Sequence, residues 1–237
     1  MYKIKDIIKS QDYSKVPSNF LFKYLFIPLA WPLTFILINL GVSPNQATYI
    51  RIIIHLIAYL FILIGSFITG YILIYLAIIF DCVDGQIART KNNATYFGKF
   101  LDGWIDCIFE VSFVIFIALT ISQQEEGIIN IALLASLMNA LYWITLLRFS
   151  IIKENKKKYK FNKIAKQISE LLDKKLLVYW FDIKYFIFPF FIIFNKEKEF
   201  IYLLLIANSI FFLVYSLQKM YIGYLVLNVH KISSTSK

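Results

Sequence analysis

The chain of 237 residues is 59% hydrophobic and 18% aromatic, with a formal net charge of +10 and a mean hydropathy of +0.65. That apolar content excludes an ordinary soluble domain, and the basic excess, with no recognition motif beside it, marks membrane-flanking loops rather than a nucleic-acid partner. Two cysteines, Cys82 and Cys107, lack metal or redox spacing and read as small semi-buried residues in a reducing compartment.

Residues 1–23 set Lys3, Lys5, Lys9, Lys15 and Lys23 against Asp6 and Asp12, a basic leader that charge asymmetry assigns to the cytoplasm. It has no apolar core of signal-peptide type, so insertion is expected to use internal segments. The uncharged run 24–40 is short for a span and holds Pro28 and Pro32, which favours an interfacial or partly inserted helix over a span. Residues 41–48, GVSPNQAT, predict a turn and a helix start, with Ser43 or Asn45 as cap and Pro44 in the first turn. Hydropathy then predicts spans at 46–65, 67–89, 95–122, 128–147, 177–194 and 200–218. The acidic link 123–127 fits the outer side. The lysine-rich stretch from Arg148 to Trp180, with Ile164, Ile168, Leu171 and Leu172 at helical spacing, predicts an amphipathic helix on the cytoplasmic surface. The expected fold is an all-α integral membrane protein: six transmembrane helices plus an N-terminal interfacial helix. Its expected parts are a leader with interfacial helix (1–45), a membrane domain (46–229, with the basic loop 151–176) and a tail (230–237).

The stretch 81–106, DCVDGQIARTKNNATYFGKFLDGWID, organises the rest. No Asp, Glu, Lys or Arg occurs in 52–80 before it or in 111–124 after it, so its carboxylates sit at a membrane boundary. Helical spacing puts Asp81, Asp84, Gly85 and Ala88 on one stripe and Gly98, Asp102 and Asp106 on another. The short link 91–95, with Asn92 and Asn93, predicts antiparallel neighbours whose acidic stripes face each other. A charge at the bilayer centre costs about 2.5–3.5 kcal/mol on insertion scales, and like charges repel, so four carboxylates need counter-charge. Hard divalent cations suit them, and a pair of such ions is the usual clamp for displacement at phosphorus. Pairing with Arg89, Lys91 and Lys99 is the structural alternative, but it leaves unexplained the small residues on the stripe, which let a ligand approach the backbone.

The pattern Asp81-x2-Asp84-Gly85-x2-Ala88-Arg89-x8-Gly98-x3-Asp102-x3-Asp106 resembles the signature of the CDP-alcohol phosphotransferase family, class I. Eight fixed residues, each used at roughly 5–8%, recur by chance about once in 10⁹ starts. The resemblance implies Mg²⁺ or Mn²⁺, two ions, held by Asp81, Asp84, Asp102 and Asp106, with Asp106 also the general base. It implies room for the CDP moiety at Gly85, Ala88 and Gly98, Asn45 near the cytidine, and Arg89 at the helix link or on a phosphate. The implied partners are a CDP-alcohol donor and an alcohol or lipid acceptor, within membrane lipid. Dimerisation is common in the family, though no residue here by itself points to a homodimer.

Arg148, Lys219 and Arg51, cations at cytoplasmic span ends, are candidates for an acceptor phosphate. His55 reads as bundle packing, and Glu110 as a hydrogen-bonding group one turn deeper than Asp106. The expected function is transfer of a phosphoalcohol group, phosphatidyl in the first instance, from a CDP-alcohol to an acceptor hydroxyl with release of CMP. Headgroup transfer from a small CDP-linked alcohol is the alternative, and a cation or proton transporter is the alternative of another class. The residues after Gly98 lack the Asp-Pro-x-Ala-Asp-Lys and Ser-Phe-Gly patterns of two branches and look more like the general or inositol-phosphate-using branches, which leaves the branch open.

Overall fold

The computed structural model describes residues 1–11, 22–154 and 185–227, with 146–154 and 222–227 given as backbone. Among these residues all regular structure is helical: α1 (Ile4–Ser10), a π-helical turn (Phe22–Phe26) running into α2 (Ile27–Asn39), α3 (Pro44–Leu63), α4 (Phe67–Thr90), α5 (Tyr96–Ile121), α6 (Ile128–Glu154), α7 (185–193) and α8 (Glu197–Leu227). Among the described residues, six helices are long and apolar enough to cross a membrane: Phe22–Asn39, Pro44–Leu63, Phe67–Thr90, Tyr96–Ile121, Ile128–Thr145 and Glu197–Tyr221. The protein is an all-α integral membrane protein. Most of the basic loop, the start of the span expected at 177–194 and the tail 230–237 lie outside the described residues.

The expectation for 24–40 needs correcting in one respect. Pro32 sits inside α2 without stopping it, and the π-helical turn lengthens the rod, so the segment has the length and composition of a span. Its polar contacts with α4 fall at Gln86: Thr34 Oγ1 donates to Gln86 Oε1 (2.7 Å), and Gln86 Nε2 donates to the Ile27 carbonyl (3.1 Å). Gln86 belongs to the acidic half of α4, while Phe26 meets Tyr75 in its other half, ring centroids 5.4 Å apart.

Local chemistry fixes the starts of the site helices. Ser43, not Asn45, caps α3: its hydroxyl accepts from the Gln46 amide (3.3 Å), Gln46 Oε1 accepts from the Ser43 amide (2.8 Å), and Pro44 fills the first helical position. Thr95 caps α5 by accepting from the Gly98 amide (3.0 Å). Between α4 and α5 the chain reverses at Asn92, φ 51°, a left-handed position that asparagine tolerates.

α3 is the central rod, packing on both α4 and α5. Direct backbone contact between α4 and α5 is slight, which corrects the expectation that they pack as neighbours. Two acidic stripes repel, and α3 bridges them with a cation. The crossing of α3 and α4 is close at Gly70, where an added Cβ would stand 2.6 Å from Ile62 Cγ1 and 2.9 Å from the Ala58 carbonyl oxygen. Because backbone blocks the space, Gly70→Ala is expected to cost about 1–3 kcal/mol, as overpacking does. Thermal melts in detergent check this against Gly103→Ala, whose added Cβ meets nothing within 4 Å and is expected to be neutral or stabilising.

Candidate functional site

Three helices converge on one charged cluster. α4 supplies Asp81, α5 supplies Asp102 and Asp106, and one carboxylate oxygen from each lies within 4.8 Å of the others. α3 supplies Arg51, whose side chain is 4% exposed. Its Nη1 donates to Asp81 and to Asp102 Oδ1 (2.8 Å), and its Nη2 donates to Asp106. Arg51 is therefore the counter-ion of the cluster, which corrects its assignment to an acceptor phosphate. Asp84 faces another partner: Thr48, one turn before Arg51 on α3, donates from Oγ1 to Asp84 Oδ2 (2.7 Å). The four aspartates thus form a group of three plus a neighbour, not one even ring.

This donor set fits hard divalent cations. All its ligand atoms are carboxylate oxygens, and three carboxylates against one guanidinium leave net negative charge in a low-dielectric setting. Asp102 and Asp106 are 41% and 34% exposed, against 22% for Asp81, so the open side of the cluster belongs to α5.

Aromatic packing lies one helical turn beyond the cation on α3. The His55 ring stacks on Phe109 at 3.9 Å, with Nδ1 3.3 Å from the Arg51 carbonyl, so His55 is a packing residue as expected. Tyr59 Oη donates to the Phe109 carbonyl (2.7 Å). One turn beyond Asp106, buried Glu110 accepts from Tyr185 Oη (2.8 Å), so it ties α5 to α7 by a hydrogen bond.

The small residues sit where side chains crowd. A Cβ on Gly98 would meet Thr95 Oγ1 at 3.1 Å and Asn45 Oδ1 at 3.3 Å, which brings Asn45 against the start of α5. A Cβ on Gly85 would stand 3.1 Å from both Nη1 and Nη2 of Arg89. Arg89 Nε donates to Gln11 Oε1 (2.5 Å), and half-buried Ala88 lies beside it on α4. Lys219, on α8, is buried with Nζ 4.3 Å over the Tyr215 ring. The side chain of Arg148 lies outside the described residues.

Residues 41–215 match the family model described as CDP-alcohol phosphatidyltransferase. The chain belongs to the CDP-alcohol phosphatidyltransferase family. Among curated proteins it is similar to archaetidylinositol phosphate synthase of Pyrococcus horikoshii, 40% identical over 84 residues covering 35% of this chain and 44% of the relative. It is also similar to a CDP-diacylglycerol–inositol 3-phosphatidyltransferase of Drosophila melanogaster, 41% identical over 63 residues, 27% of this chain and 28% of the relative. The chain spans less than half the length of these curated relatives. Among solved structures it resembles Mycobacterium tuberculosis phosphatidylinositol phosphate synthase with CDP-DAG bound, with a TM-score of 0.56, 16% identity and coverage of 86% of this chain and 95% of that one. At that identity the likeness is one of fold.

The CDP-alcohol phosphatidyltransferase match takes in every aspartate of the cluster together with Arg51 and Thr48. Arg51 and Thr48 escaped the motif because they lie thirty or more residues ahead of it on another helix. A signal for Arg51 existed: it is the sole Asp, Glu, Lys or Arg between Lys23 and Asp81, and a lone cation inside a membrane helix needs an acidic partner.

Proposed function

We propose that the protein transfers a phosphatidyl-type group from a CDP-linked lipid alcohol to the hydroxyl of inositol or an inositol phosphate, releasing CMP. The observation that carries this reading is the convergence of Asp81, Asp102 and Asp106 on one site within a chain of this family. The inositol acceptor is supported by the names of the two curated relatives. The cytoplasmic side for the substrate-facing end is supported by the basic residues gathered there, Lys5 and Lys9 on α1 and Lys91 and Lys99 around the α4–α5 link.

In this reading Asp81, Asp84, Asp102 and Asp106 hold two divalent ions, Mg²⁺ in the first instance. Bound there, the metal supplies charge stabilisation for the pyrophosphate as negative charge grows on the leaving group. The acceptor oxygen attacks the phosphorus attached to the lipid alcohol. The new P–O bond forms as the bond to the bridging oxygen of the pyrophosphate breaks, and the departing electron pair leaves with CMP. Asp106, on the open side of the cluster, accepts the acceptor's proton on a carboxylate oxygen. Arg51 keeps the carboxylates together by offsetting their repulsion. Gly98 and Asn45 border the nucleoside, Gly85 leaves room for the Arg89 guanidinium that steadies a donor phosphate, and Ala88 keeps the same stripe small beside it. Arg148 and Lys219 remain candidates for a phosphate on the acceptor.

The test is CMP release by purified protein with Mg²⁺ and CDP-diacylglycerol, across inositol phosphate, inositol, glycerol phosphate and serine, with CDP-choline and diacylglycerol as a further arm. Release with an inositol acceptor is expected. No release and no CDP binding across the panel would end the reading, and turnover in the last arm alone would turn it toward headgroup transfer.

A further inference from the structure

The N-terminal segment carries a device that the acidic motif does not contain. α1 lies across the C-terminal ends of α2 and α4. At its start the Tyr2 amide donates to Asn39 Oδ1 (2.8 Å), and at its end the hydroxyls of Ser10 and Thr90 are hydrogen-bonded (2.9 Å). The next residue, Gln11, is 8% exposed, and its amide is committed at both ends. Nε2 donates to the Ile7 carbonyl (3.1 Å) and to Ser10 Oγ (2.8 Å), which leaves Oε1 to accept from Arg89 Nε. Fixing Nε fixes the plane of a guanidinium. The plane so fixed carries Nη1 and Nη2 over Gly85, on the stripe of α4 that also bears Asp81 and Asp84.

We propose that Gln11 is a positioning residue for substrate binding: it orients Arg89 so that both terminal nitrogens face the diphosphate of the donor. This rests on the reading of the 81–106 region as a CDP-alcohol site. Gln11 lies ahead of the family-matched residues, so the device belongs to this chain's own N-terminal segment. Two features argue for ligand positioning over simple docking of α1. The strap is already tied by Tyr2 and by Ser10, and Gly85 provides the bare backbone over which the guanidinium lies. Without Gln11 the Arg89 side chain, on an exposed position, regains its rotamers.

The test uses the full chain in detergent. Gln11→Met keeps the shape and removes the acceptor, and is expected to raise the KM for CDP-diacylglycerol roughly tenfold, the scale of a charge-assisted hydrogen bond, with kcat little changed. Competition by CDP should weaken alike, while competition by cytidine, which has no phosphate, should not. Gln11→Glu retains an acceptor for Nε and should restore a KM near that of wild type. In an Arg89→Lys background, Gln11→Met should add nothing. A wild-type KM in Gln11→Met, equal weakening of CDP and cytidine, or additive effects with Arg89→Lys overturns the proposal alone. Wild-type protein that neither turns over a CDP-alcohol nor binds CDP overturns the proposal together with the reading beneath it.

Discussion

Asp106→Asn is expected to lower CMP release by about 10²–10⁴-fold, the range of general-base catalysis, while leaving CDP binding measurable. The change is nearly isosteric and leaves an amide oxygen to accept from Arg51 Nη2, so the three-helix cluster should keep its shape. What it removes is the ability to hold the proton of the attacking hydroxyl. Position separates Asp106 from Asp81 and Asp84, and its place as the last aspartate of the family motif separates it from Asp102. It is more open than Asp81, it lies one helical turn beyond Asp102, and it is not engaged by Thr48 as Asp84 is. Asp81→Asn, at the less exposed wall, should instead weaken Mg²⁺ binding along with turnover. Single-turnover CMP release and isothermal titration with CDP check the pair. Activity of Asp106→Asn within about tenfold of wild type would remove Asp106 from the base role.

Much of the fold was legible because membrane insertion imposes long apolar runs, and the turn chemistry between them is local. Ser43 with Gln46, Thr95 before α5 and Asn92 at the reversal are short-range features, visible within four residues. The acidic site was legible in part for a similar reason, since helical spacing places Asp81 with Asp84, and Asp102 with Asp106, whatever surrounds them. What spacing cannot supply is the third body. A short link between α4 and α5 is compatible with direct packing or with a rod between them, and α3 takes the intermediate place. The division of the aspartates into Asp81, Asp102 and Asp106 around Arg51, with Asp84 turned to Thr48, follows from that placement. The Gln11–Arg89 contact is more distant still, at a sequence separation of 78 and with no periodic signal to join the partners.

Replacing Arg51 by methionine is expected to destabilise the metal-free protein by about 3 kcal/mol, near the low end for removing one partner of a buried ion pair. The low end applies because Asp102 and Asp106 retain contact with solvent, at 41% and 34% exposure. Three carboxylates from two helices would then face each other with no cation between them, and a melting temperature measured in EDTA should fall by on the order of 5–10 °C. Mg²⁺ should reverse most of that loss. If guanidinium and metal compete for the same oxygens, the variant also binds Mg²⁺ more tightly than wild type, because no resident cation has to be displaced. Arg51→Lys separates charge from geometry: a compact ammonium restores one positive charge but cannot fork to Asp81, Asp102 and Asp106 together, so its stability in EDTA should lie between the two. Melting in EDTA unchanged from wild type, with unchanged Mg²⁺ affinity by titration, would mean that the cluster does not need Arg51 as its counter-ion. In that event protonation of the carboxylates would have to offset their repulsion instead, and the case for a metal site would lose its electrostatic basis.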